Sequence, residues 1–251
     1  SSEKRLTILD RINNRISLQT RLVLSMLFIA LVPLIAVSTR NITQTQQALT
    51  NGAEISLRAS ALQTANSLDT FIEETLISLE IEAQFSDFSA YLALPPSERP
   101  GSLEQANARD LLEQLSGKDT FNIISYALAV ADGRVLLDTV KENIQKNESG
   151  ESYFSQVRFS EKPIVTDVTY SDKTTTVIHF AGKVLGADGE YAGILRVKYR
   201  SAVLQSVITE SVGTSTNTAV LLLDQLNIRM AYSLNPELIL KSIVSLDVPS
   251  Y

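Results

Sequence analysis

The sequence predicts an α+β protein: an N-terminal transmembrane helix, a long stalk helix, an antiparallel-sheet module, and the start of a second module. Three observations predict it. Eighteen uncharged residues, Leu22–Thr39, lie between Arg21 and Arg40. Apolar residues then recur every three or four positions as far as Ala83. Beyond Asn122 the period shortens to alternation, punctuated by Gly, Asp and Asn.

The uncharged run is just long enough for a helix rising about 1.5 Å per residue to cross a hydrocarbon core of about 30 Å. Ser25, Ser38 and Thr39 can return their hydroxyls to the helix backbone, and Pro33 adds a kink. A buried core helix and a cleaved signal peptide are the rivals, but the run is long for a signal sequence and no A-x-A site follows it. Lys4, Arg5, Arg11, Arg15 and Arg21 precede the span, so residues 1–20 are expected in the cytoplasm and the bulk of the chain outside, on an inner (plasma) membrane.

Residues 1–40 carry a net charge of +4 within a chain of −6, leaving an acidic body of −10. Such a body lacks the basic footprint of a nucleic-acid binder. With no cysteine and one histidine, thiolate sites, disulfides and multi-histidine metal centres are excluded, and no cofactor is expected. The chain begins at Ser1 and reads as a piece of a longer protein.

From Thr43 to about Phe88 no proline interrupts the stripe formed by Ile55, Ala59, Leu62, Ala65, Leu68, Ile72, Leu76, Leu79 and Ala83, which predicts one long helix. "LPPSERPGS" breaks it, and a short helix restarts with Ser102 as N-cap and Gly117 near its end. "NIISYALAVADGRVLLDTV" reads as two strands joined at Ala131-Asp132-Gly133. Further strands are expected at Ile164–Tyr170, Thr174–Val184 and Tyr191–Tyr199, with a helix ending near Gly213. "TAVLLLDQLNIRMAYSL" echoes the first hairpin about ninety residues later, and "NPELILKSI" starts like a helix capped by Asn235.

"VADGRVLLDT", "ESYFSQV", "KPIVTDVTYSDKTTTVIHFAGKV" and "GEYAGILRVKYRSAVLQSVI", in this order after a membrane span, resemble a double Cache sensor domain. This family provides the extracytoplasmic part of bacterial chemoreceptors, sensor histidine kinases and nucleotide cyclases. The resemblance implies PAS-like modules, with residues 21–40 as the span, 41–212 as stalk and membrane-distal module, and 213–251 as the beginning of the membrane-proximal one. It also implies a homodimer that senses a small ligand, with a kinase or cyclase output beyond Tyr251. In the family's amino-acid-binding subgroup an arginine-x-tryptophan-tyrosine segment corresponds to Glu151, Tyr153 and Phe154 here, and an aspartate falls at Lys198. Both charged anchors are reversed, so an amino-acid zwitterion cannot use that pattern.

Candidate ligand-binding residues come from strand parity. His179 shares a strand face with Thr175, Val177, Ala181 and Lys183, and Arg196 and Lys198 share a face of the next strand. Three potential cations on one concave surface would favour an anionic ligand, with Tyr126, Tyr153 and Tyr170 as hydroxyl donors and walls and Glu151 beside them. The competing reading is a solvated or internally paired face. Gly182, Gly186, Gly189 and Gly193 match no phosphate-binding loop; "GADGE" is a hairpin turn and Gly193 relieves crowding. The carboxylates of "DVTYSD" and "LDTV" are adequately explained as turn aspartates bonding their own backbone. No nucleophile, base and orienter can be assembled around His179 with Asp167 or Asp172, so the fragment is not expected to be an enzyme. The alternative function is a ligand-free dimerising spacer, or a docking module for a periplasmic protein.

Overall fold

A computed structural model describes residues 18–171, 175–212, 220–224, 227–232 and 236–241. The basic residues Lys4, Arg5, Arg11 and Arg15, together with Asp172, Thr174, Gly213 and Asn235, lie outside the described residues. The chain divides into two compact units, residues 1–59 and 60–251.

Helix α1 (Leu18–Glu82) is a single 65-residue helix that continues through Pro33. Its Leu22–Val37 stretch leaves side chains such as Phe28, Ile29 and Leu34 at least 70% exposed, a surface suited to lipid and unsuited to water. The helix is long and apolar enough there to cross a membrane. Ser25 and Thr39 hydroxyls donate to the carbonyls of Leu22 and Ile35, each at 3.0 Å, which satisfies them without water.

In the second unit the apolar stripe of α1 meets a sheet. Leu68, Leu79 and Ala83 are buried and Ile72 and Leu76 partly so, whereas Ile55 and Leu62 are exposed. The helix ends at Glu82 and not near Phe88 as the periodicity suggests; Phe85 is extended, and a separate helix α2 (Ser86–Ala93) begins after it. Leu94 is extended because Pro95 follows, which stops α2. Helix α3 (Leu103–Ser116) starts where Ser102 accepts from the Gln105 amide at 3.1 Å and stops at Gly117, as the sequence predicts.

Strands β1 (Ile123–Val130) and β2 (Val135–Asp138) form the first hairpin; helix α4 (Ser152–Phe159) follows. Then come β3 (Ile164–Val165), β4 (Thr169–Tyr170), β5 (Thr176–Leu185), β6 (Tyr191–Arg200) and helix α5 (Ala202–Val212). The antiparallel sheet runs β2-β1-β6-β5-β3, with β4 also on β5. The expected single strand Ile164–Tyr170 is two pieces. Ile164 pairs with Ala181 but Thr169 with Val177, a slip of one residue that marks a bulge between them. At Gly193 a Cβ would meet the Ala129 carbonyl oxygen at 2.3 Å, so β1 and β6 approach closely there only because the side chain is absent.

The two sheet faces bury different partners. Tyr126, Leu128, Ile178, Phe180, Leu195 and Val197 pack with α1, α2 and α3 in the main core, where Phe71, Phe180 and Tyr199 meet edge to face. On the opposite face Tyr153, Phe154 and Val157 of α4 pack on Ala181 and Ile194.

The first hairpin recurs near the end of the described chain. Strands β7 (Leu221–Leu223) and β8 (Arg229–Tyr232) pair with the same one-residue irregularity as β1 and β2. Val135 donates to Lys146 and accepts from Gln145, whose φ is +71°; Arg229 donates to Lys241 and accepts from Leu240, whose φ is +63°. The sequence echo is thus a repeated piece of backbone. "NPELILKSI" differs from expectation: its described part is one 3₁₀ turn, Pro236–Leu238, which corresponds to the turn Lys141–Asn143 of the first copy.

Candidate functional site

The α4 face of the sheet carries a buried charge network with a polar cavity beside it. Parity places His179, Arg196 and Lys198 on this face, with His179 directly opposite Lys198 and Arg196 opposite Ala127. Asp138 is the next partner of Ala127 across the sheet, so the small alanine lets Arg196 reach over it.

Arg196 is 1% exposed and fully engaged. Its Nη2 donates to Asp138 Oδ2 at 3.0 Å and to Glu148 Oε1 at 2.9 Å, Nη1 to Ser125 Oγ at 2.7 Å, and Nε to Glu148 Oε2 at 3.4 Å. A buried guanidinium needs such compensation, and two carboxylates supply it. Burial opposes its charge, but Glu148, Tyr153 and Asp138 outweigh that and raise its pKa. Burial would raise Glu148, yet Arg196 and the donating Tyr153 hydroxyl bring it below the usual carboxylate value.

His179 is 8% exposed, its ring tilted 30° to that of Tyr153 with centroids 5.4 Å apart. Burial, reinforced by Arg196 and Lys198, pushes its pKa down to about 3, so the imidazole is neutral at ordinary pH. Lys198 is half-buried, and burial followed by the Arg196 charge lowers its pKa. Among the described residues its ammonium makes no hydrogen bond or ion pair.

A cavity of about 250 Å³ opens here, with His179, Lys198, Tyr153, Tyr170 and Glu151 among its lining residues. Five of the seven sequence candidates therefore line one space. Arg196 is not an open cation, because its charge is spent on Asp138 and Glu148. Tyr126 lies on the other face: it pairs with Val197, and its hydroxyl donates to Glu82 Oε2 at 3.0 Å. Of the three expected cations, Arg196 is paired and His179 neutral, which leaves in the wall Lys198, without a hydrogen bond or ion pair among the described residues; Lys146, also lining, donates to Asn143 at 2.8 Å.

Sequence reasoning passed over Asp138 and Glu148. Asp138 does accept from the backbone amide of Val140 at 2.7 Å, as a turn aspartate should, but its other oxygen holds Arg196. A strand arginine between apolar neighbours demands a buried anion, and that was the available signal.

No known protein family matches the chain by sequence, and neither does any curated protein. Solved structures do match. The sensor domain of the Vibrio cholerae histidine kinase DctB superposes with a TM-score of 0.61 at 12% identity, over 80% of this chain and 73% of that one. This chain has the fold of a receptor sensor domain. The ligand-binding domain of the Pseudomonas aeruginosa PAO1 amino-acid chemoreceptor PctC, solved with GABA, gives a TM-score of 0.55 at 16% identity, over 74% and 78% of the two chains. That of the Campylobacter jejuni chemoreceptor Tlp3, solved with L-valine, gives 0.51 at 17%, over 76% and 73%. The sensor-domain fold is what the resemblance to Cache domains implies.

Proposed function

We propose that this chain is the extracytoplasmic sensing region of a membrane-bound bacterial receptor, and that the cavity on the α4 face binds a small carboxylate ligand. One observation carries the reading: the half-buried Lys198 ammonium has no hydrogen-bond or ion-pair partner among the described residues, in a wall that has room for one. A ligand carboxylate would supply the missing charge-assisted hydrogen bonds. Neutral His179 and the Tyr170 hydroxyl offer neutral polar contacts, and Glu151 would accept a donor elsewhere on the ligand. The expected homodimer, the N-terminal membrane crossing at Leu22–Thr39 and the second module beginning at Gly213 complete the proposal. Ligand binding would favour one packing of the distal module, and α1 would pass the difference to the membrane.

The test is a thermal-shift screen of the detergent-solubilised chain against carboxylates, amines, sugars and nucleobases, repeated on Lys198→Gln. A carboxylate should raise the melting temperature, and the substitution should weaken its binding about 10–100-fold, the worth of a hydrogen bond to a charged group. A folded chain that responds to no compound, or a Lys198→Gln variant that responds equally, would sink the reading.

A further inference from the structure

A second cavity of about 180 Å³ shares no lining residue with the first, although Ile144 and Gln145 line the one and their neighbours Asn143 and Lys146 the other. Three guanidinium groups line it: Arg99 from the α2–α3 loop, Arg109 from α3, and Arg134 at the start of β2. No carboxylate is among its lining residues.

One arginine of this set is held in place. Arg99 donates from Nη2 to the Leu92 carbonyl at 2.8 Å and from Nε to the Leu94 carbonyl at 2.9 Å. Both acceptors are neutral, so its charge is oriented but not neutralised. Arg109 makes no hydrogen bond or ion pair among the described residues. Among the described residues the Arg134 side chain pairs only with Asp132, at 3.8 Å between side chains that are both about half exposed or more, a contact of little worth. Arg99 and Arg109 line the same cavity as Tyr91, and their charges pull its hydroxyl pKa down against the burial that raises it.

Guanidinium groups stay charged under all ordinary conditions, and their forked donors match oxyanions. Three of them around one concavity, in an otherwise acidic module, repel each other until an anion joins them. The space is compact, at about 180 Å³. We propose that this cavity is a second ligand site, for a small multiply charged oxyanion, either a polyphosphate or a polycarboxylate.

Isothermal titration calorimetry on the whole chain in detergent tests this with inorganic pyrophosphate and citrate as probes. The variants are Arg109→Gln/Arg134→Gln, both at exposed positions, and Lys198→Gln in the other cavity. Near-UV circular dichroism verifies that each variant is folded. At least one probe should bind saturably, weaken about tenfold or more in the double variant, and bind unchanged in Lys198→Gln. Which probe binds separates phosphate from carboxylate chemistry. Absence of saturable binding by the folded chain, equal binding by the double variant, or loss in Lys198→Gln would each overturn the proposal. Because Lys198→Gln reports on the α4-face cavity alone, failure here leaves the first site's test standing.

Discussion

Replacing Arg196 by Met removes the one cation that holds two carboxylates on the α4 face. The wild-type side chain makes four polar contacts, to Asp138, Glu148 (twice) and Ser125, at 1% exposure. Asp138's side chain is wholly buried and Glu148's only 13% exposed, so water cannot take over from the guanidinium. Breaking a buried pair by deleting one partner costs about 3–5 kcal/mol, a large share of the roughly 5–15 kcal/mol that stabilises a domain. The pH dependence carries the sign. In the wild type, Glu148 lies below its ordinary value, so its contribution is present above the unfolded value of 4.5 and fades as pH falls through the folded one. In Arg196→Met the downward pull is gone and burial raises Glu148, so the variant's deficit should be largest near pH 8 and shrink toward pH 5. Urea titrations of the detergent-solubilised chain, followed by near-UV dichroism of its 8 tyrosines in the absence of tryptophan, would measure this. A deficit below about 1 kcal/mol, or one independent of pH, would refute the reasoning, since neither fits a desolvated pair left half-empty.

The sole histidine makes a second measurement clean. With its folded pKa pushed down to about 3, the His179 ring signals should not titrate between pH 8 and 5 by NMR. Its depressed value also means that stability is full above about 6.5 and falls as pH drops toward 3, with a slope of up to about 1.4 kcal/mol per unit, which His179→Phe should abolish. Gly193→Ala should lose about 1–3 kcal/mol of stability in the same urea assay, because its Cβ would stand 2.3 Å from a backbone oxygen of β1 that cannot swing aside.

Local signals were legible where chemistry is local. Ser102 and Gly117 bound α3, Ala131-Asp132-Gly133 turns the first hairpin, and strand parity put His179, Arg196 and Lys198 on one face. What parity lacked was partners from far along the chain. Arg196 and Asp138 are separated by 58 residues, and nothing in either local sequence says that Ala127 leaves space between them. Parity also gives no sense of which face is concave. Tyr126 has the chemistry of a cavity wall, yet its place in β1 points it at Glu82 on the other face. The break of α1 after Glu82 was hidden for a related reason: no proline or glycine marks it, and the turn is set by packing of Phe85 and Phe88 in the main core.

Ser125 and Tyr126 are consecutive residues of β1, and each is bonded to a different side of the molecule. The first grips Arg196 in the charge network, and the second grips Glu82, which Lys118 and Ser78 also hold at the end of α1. A planar, stiff peptide unit joins them. The strand therefore works like a rivet through a plate: a change that shifts the backbone at Ser125 on one surface also shifts the fastening of Tyr126 to Glu82 on the reverse.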